Sequence, residues 1–214
     1  MEIYKKISEQ YSNVGKLFHE YWEIYGGYIS LITSPYFHLA LLISIFSWNS
    51  WTKPDWWDTA ISVLPSLVSF TLAGYAMLTA LGDDSFRKKM AVTNRPGEPS
   101  VFMQVSTTFA HFITIQTIAL LLAIFCKSRP LATIDLILNH YISSNFNSTA
   151  LIFVSRSFWL ISYCFFVYSC VLVFSCTMAV FRSTKWLNYF LRVNGKNQGK
   201  QETVSPTDPS QPKN

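Results

Sequence analysis

Residues 59–81 read TAISVLPSLVSFTLAGYAMLTAL, with no Asp, Glu, Lys or Arg anywhere in the run. A helix rises about 1.5 Å per residue, so about 20 such residues cross the hydrocarbon of a bilayer. Three more uncharged stretches meet that length: 28–48 (YISLITSPYFHLALLISIFSW), 105–126 (VSTTFAHFITIQTIALLLAIFC) and 157–181 (SFWLISYCFFVYSCVLVFSCTMAVF). Backbone in lipid must satisfy its own hydrogen bonds, so each run is expected to be a helix. The first is the weakest, because its apolar core begins only after Pro35. A short, tilted or re-entrant segment stays open there. The expected fold is an all-α integral membrane protein, a four-transmembrane-helix bundle.

Composition agrees with a change of solvent along the chain. Half of the 214 residues are apolar and 14% are charged, against about 25% charged in soluble domains. The charges cluster between the apolar runs, which argues against an ordinary soluble enzyme. Basic residues set direction, because they accumulate on the cytoplasmic side. With four spans, the side shared by both termini and the loop 82–104 holds Lys5, Lys6, Lys16, Arg87, Lys88, Lys89, Arg95, Arg182, Lys185, Arg192, Lys196, Lys200 and Lys213. The other side holds Lys53, Lys127, Arg129 and Arg156. The N- and C-termini are therefore expected to be cytoplasmic, in a multi-pass protein of a bacterial inner membrane. The stretch WNSWTKPDWWD, 48–58, reads as a tight turn at the outer surface, since Trp prefers the headgroup level.

Residues 1–27 mix Glu, Lys, Tyr and Asn and lack the layout of a cleavable signal. Tyr4, Ile7, Tyr11, Val14, Phe18, Tyr21, Tyr25 and Tyr28 recur at steps of three and four, one face of an amphipathic helix. Such a helix either lies on the inner leaflet or docks a cytoplasmic partner or another subunit. Arg87, Lys88 and Lys89 in the next cytoplasmic loop are a second candidate contact, too few to indicate direct nucleic-acid binding. The expected organisation is a cytoplasmic helix over 1–27, a membrane domain over 28–181, a basic juxtamembrane segment over 182–193 and a disordered tail over 194–214. LATIDLILNHYI, 131–142, is a short amphipathic candidate in the outer loop.

Within the spans, Ser62, Ser66, Ser69, Ala73, Ala76 and Ala80 form a stripe of small residues, with Gly74 beside it. Small residues let helices approach closely in lipid, so the stripe is a helix–helix interface, within one molecule or between copies of a homo-oligomer. Hydroxyls recur on two other spans. His111, Thr114 and Thr117 on the third, with Ser162 and Ser169 on the fourth, either join helices or line a polar path. No catalytic set, cofactor motif or metal spacing appears. The absence of charge inside the spans argues against a proton-coupled transporter. Cys126, Cys164, Cys170 and Cys176 read as small packing residues.

Residues 64–90, LPSLVSFTLAGYAMLTALGDDSFRKKM, follow the run LPxLxxFxLxGYA and close on GD and FR. The matching positions are Leu64, Pro65, Leu67, Phe70, Leu72, Gly74, Tyr75, Ala76, Gly82, Asp83, Phe86 and Arg87, with Trp56, Trp57 and Asp58 before them. This stretch resembles small bacterial membrane proteins of anti-phage systems, nearest the retron-associated membrane effectors. The membrane subunit of the Kiwa defence system is a second resemblance. The first implies a toxin-like, non-enzymatic effector without a cofactor. It would be restrained by a cytoplasmic reverse transcriptase–nucleic acid complex and would compromise the inner membrane on release. A non-toxic membrane anchor or sensor subunit for a cytoplasmic complex is the alternative.

Overall fold

The computed structural model describes residues 1–80, 82–92, 97–128 and 146–202. All regular structure among them is helical: α1 (Glu2–Tyr25), α2 (Gly27–Ile32), α3 (Pro35–Phe46), α4 (Trp48–Trp51), α5 (Trp56–Ala80), α6 (Asp84–Ala91), α7 (Val101–Lys127) and α8 (Phe146–Glu202). Three segments are long and apolar enough to cross a membrane: α5, α7 and Ile152–Val193 within α8. The outer-loop candidate 131–142 lies outside the described residues.

The first apolar run differs from a single continuous span. It is broken into α2 and α3 at Thr33 and Ser34, and the 12 residues of α3 rise only about 18 Å of the roughly 30 Å hydrocarbon layer. Pro35 is the cause. It starts a helix well, but disfavours helical geometry in the residue before it. Ser34 is accordingly extended, at ψ 124°.

The tail also differs. Residues 194–202, expected to lack structure, continue α8 to Glu202. The helix thus passes without a break through the basic segment 182–193.

The bundle is built from α5, α7 and α8, with α3 laid against α8. At one end Ala60, Ala119 and Ala123 are buried among Trp56, Trp57, Leu64 and Cys126. These alanines are what let α5 and α7 come close. Trp57 meets Trp159 at 5.3 Å between ring centroids, and Trp56 meets Tyr163 at 5.3 Å. Trp51, Trp56 and Trp57 are buried inside the protein while Trp48 is exposed, so most of this tryptophan cluster packs helices instead of facing headgroups. Lys127 Nζ lies 2.9 Å from Asp58 Oδ1, and Arg156 donates to the carbonyl of Thr52. The first contact ties α5 to α7, and the second ties α8 to the end of α4.

The second core gathers Leu78, Val105, Phe109, Phe112, Tyr168, Leu172 and Cys176. Gly74 faces it. A Cβ there would come within 3.4 Å of Phe109 and 3.6 Å of Cys176 Sγ. Beyond it, Gly82 at φ 76° turns the chain, and Asp83 caps α6 by accepting from the Phe86 amide at 2.9 Å. Phe86 and Met90 then pack beneath Phe190 of α8.

These placements separate two kinds of small residue. Ala123→Leu overfills the α5–α7 contact and is expected to cost about 1–3 kcal/mol. Ser66→Leu, on an exposed face of α5, is expected to stay within about 0.5 kcal/mol. Denaturant titration of the purified protein in detergent measures both.

Candidate functional site beneath the N-terminal helix

The most developed polar site centres on His111, ten residues into α7 and wholly buried. An unpaired imidazole is costly in an apolar interior, and this one has partners on both ring nitrogens. Tyr21 Oη lies 2.7 Å from Nδ1. Tyr168 Oη lies 3.3 Å from Nε2. The Tyr25 ring stacks over the imidazole at 3.9 Å and 17°. The last turn of α1 is thus fixed to two of the long apolar helices, α7 and α8.

Burial, with Tyr25 beside it, pushes the Tyr21 hydroxyl up to about 12, so it stays protonated at neutral pH. With a neutral imidazole, both bonds form together when Tyr21 donates to Nδ1 and Nε2–H donates to Tyr168.

Local sequence explains how α1 arrives there. Tyr21 and Tyr25 are four apart and share a face. Gly26 and Gly27 follow with φ of 97° and 65°, and the Gly26 amide closes the helix onto the Glu23 carbonyl at 3.0 Å. A side chain at Gly26 would also run into Ser30. Trp22 packs edge-on against Tyr28 at 4.9 Å. A cleft of about 380 Å³ remains beside the contact, between Phe18, Trp22, Thr114 and Ile118.

The tyrosine stripe is divided by this docking. Tyr21 and Tyr25 are engaged inside the molecule, whereas Tyr4 (80% exposed), Ile7, Tyr11 (77%), Val14 and Phe18 remain bare. A partner would therefore find the first two-thirds of the stripe free, and not the whole of it. Arg87, Lys88 and Lys89 are exposed on α6, with Arg87 paired to Asp84 at 3.0 Å and Lys89 lying 4.7 Å from the Phe190 ring centroid.

In α5, Ser62, Ser66, Ser69, Ala73, Ala76 and Ala80 are all exposed. The helix instead turns Ala60, Leu64, Thr71 and Leu78 inward. The stripe is thus not the interface within the monomer, and Gly74 belongs to the opposite, inward side. The hydroxyl rows do not form one face. Ser162 and Ser169 are buried, while Thr114 is half-buried in the cleft and Thr117 is exposed. Bulky Phe109 and Phe112 are buried on α7, and Phe109 packs against Gly74.

Two features escape one-dimensional reading. Nothing in the sequence pattern links Tyr21 to a histidine 90 positions away. Gln116 is wholly buried, and neither amide atom has a hydrogen-bond partner. Among the described residues, no group of three or more His, Cys, Asp or Glu is placed to hold a metal ion.

Two outcomes are expected. Tyr21→Phe leaves His111 Nδ1 unpaired, weakens α1 docking by about 1–3 kcal/mol, and speeds tryptic cleavage at Lys16. Gln116→Leu removes an unpaired amide and raises the unfolding midpoint in detergent. A lowered midpoint would mean that the amide has a partner in the native membrane.

No protein-family model matches this chain, and neither does a curated protein or a solved structure.

Proposed function

We propose that this chain is a four-pass inner-membrane effector that self-associates through α5 and is held or released through α1. The observation that carries this reading is the orientation of α5. It packs on α7 and α8 with one face and turns a second face of small residues outward. In lipid, a smooth row of Ser and Ala favours close approach by another helix. Ser62, Ser66 and Ser69 would then form the seam between copies, with Ala73, Ala76 and Ala80 continuing it.

The first of the four crossings is made by α2 and α3 together, as a discontinuous span. Its break is tolerable because Thr33 Oγ1 donates to the Ile29 carbonyl at 2.7 Å, and the Phe37 and His38 amides both return to Ser34. The excess of basic residues on one side supports cytoplasmic termini. The bare part of the tyrosine face, with the cations of α6, suits a cytoplasmic partner. A reverse transcriptase–nucleic acid complex is the partner implied by the sequence resemblance of residues 64–90. Release from it would let copies assemble and breach the membrane, the action of an anti-phage effector. No catalytic step is involved.

An anchor or sensor subunit is the competing reading. It is favoured by buried hydroxyls that close onto their own helices, Thr71 onto Leu67 and Ser169 onto Phe166. Such hydroxyls serve packing rather than conduction.

Topology is tested first. In a cysteine-free background, Lys5→Cys and Lys88→Cys should react with membrane-impermeant maleimide only from the cytoplasmic side, and Lys53→Cys only from outside. Lys5 and Lys88 on opposite sides would mean that α2 and α3 do not cross. Function is tested by inducing the chain alone in bacteria and following membrane potential and propidium entry. Depolarisation that is lost in Ser66→Leu/Ala73→Leu, at equal expression and unchanged stability, supports the effector. Normal potential on induction, with a cytoplasmic complex recovered through residues 1–20, supports the anchor.

A further inference from the structure

A cavity of about 370 Å³ lies where α3 meets α7 and α8. Phe37, Ala40 and Leu41 wall it from α3, Ile115 from α7, and Ile161 and Cys164 from α8. The cavity follows from the broken first apolar run. α3 starts late, at Pro35, and meets α8 through Tyr36 on Phe174 and Phe37 on Tyr168, with the small Ala40 and Ser44 as its buried residues.

Its lining is nearly all hydrocarbon. The one hydroxyl, that of Tyr168, is directed to His111. Water needs two to four polar partners to be held, so the space suits an apolar occupant. An empty apolar space forfeits the dispersion contacts of its walls. The mouth is on the flank of the bundle, where Ile161 is 54% and Leu41 36% exposed. That flank belongs to a segment long and apolar enough to span a bilayer. An apolar cavity of about 150 Å³ takes up benzene, so this one has room for on the order of a dozen carbons.

We propose that this cavity is a binding site for the acyl chain of a bilayer phospholipid, entering sideways between Leu41 and Ile161. A phospholipid is favoured over a free fatty acid because no cationic side chain lines the cavity to pair with a carboxylate. The site rests on the membrane placement of α8 and not on effector action. Leu31 and Ile115 wall both this cavity and the cleft under α1, so an acyl chain here stiffens the support on which α1 docks.

The test uses the full chain, reconstituted in vesicles of phosphatidylethanolamine and phosphatidylglycerol. A trace of phosphatidylethanolamine carries a diazirine at mid-chain, and labelled residues are mapped by mass spectrometry after illumination. The expected result is label on Ile115 and on Ala40, which is 1% exposed and lines this cavity but not the cleft under α1, at least as strong as on Phe70 and Leu72, which are exposed on α5. Cys164→Phe fills the space and should abolish label on Ile115 while leaving Phe70 unchanged. Ile161→Trp, at an exposed position, should obstruct the mouth with the same effect should the first variant fold poorly. Label confined to exposed residues would overturn the site. So would equal label on Ile115 in both variants, or protection of Ile115 by a second copy, seen as Cys164–Cys164 cross-linking between chains. Carbonate extraction of the vesicles is run alongside. Release of the protein into the soluble fraction would overturn the membrane placement itself, which is distinct from an empty cavity in an embedded protein.

Discussion

Backbone polar groups in hydrocarbon have no water to turn to, so each must be satisfied by its own segment. Several hydroxyl side chains meet the constraint in the same way. Ser44 bonds to the Ala40 carbonyl, Ser69 to Pro65, Thr71 to Leu67 and Ser183 to Ala179. These four hydroxyls close onto the helix that carries them, within four residues, whereas the buried Ser162 Oγ makes no such bond. Polar residues in the spans therefore need not face one another, and a row of hydroxyls in the sequence is weak evidence for a water-filled path. Even the break at Thr33 and Ser34 obeys the rule, because the groups it frees are recaptured locally.

Once helices are imposed, the fold is decided by which faces approach. α5 shows this with two rows of small or slender residues on one helix. Ala60, Leu64, Thr71 and Leu78 meet α7 and α8, while the Ser and Ala row points away. The inward row wins the intramolecular contact because it carries shape as well as smallness. Leu64 and Leu78 fill gaps, Ala60 permits approach beside Ala119 and Ala123, and Gly74 receives Phe109. The outward row offers closeness without knobs, which suits a second flat helix better than an aromatic core.

Much of this was legible in the sequence. Three apolar runs became three long helices, because length and missing charge are enough to specify them. The amphipathic N-terminal helix was legible from its steps of three and four, which mark one face of a helix. The split of the first run was only half legible. Pro35 was visible, but its effect depends on Ser34 adopting an extended backbone. The inward or outward sense of the α5 stripe was not legible at all. Periodicity gives a face its members but not its neighbour, and Phe109, which marks the inward side, lies on another helix. The extension of α8 to Glu202 went unseen for a different reason. A polar sequence without apolar periodicity carries little local signal, and here helix continues from a long, already formed segment, so no new nucleus is required.

His111 raises the sharpest physical question in the fold. A histidine buried in α7 needs two partners, and among the described residues the long apolar helices offer one, Tyr168. The second comes from α1, a helix that carries Glu20 and Glu23 close to the docking tyrosines. The polar side of α1 resists burial, so its hold on the bundle is confined to the last turn, where Tyr21, Trp22 and Tyr25 are concentrated. Such a contact is strong locally and short in extent. It fixes one end of a helix and leaves the other end bare, with Tyr4 and Tyr11 exposed. α1 is a helix of 24 residues, about 36 Å long, whose packing on the bundle is concentrated in its last turn. That turn carries the stacked Tyr25 ring and the hydrogen bond to His111 Nδ1. That polar group cannot lose its partner without penalty in an apolar setting. The need to satisfy one buried imidazole therefore helps to hold an otherwise exposed N-terminal helix against the bundle.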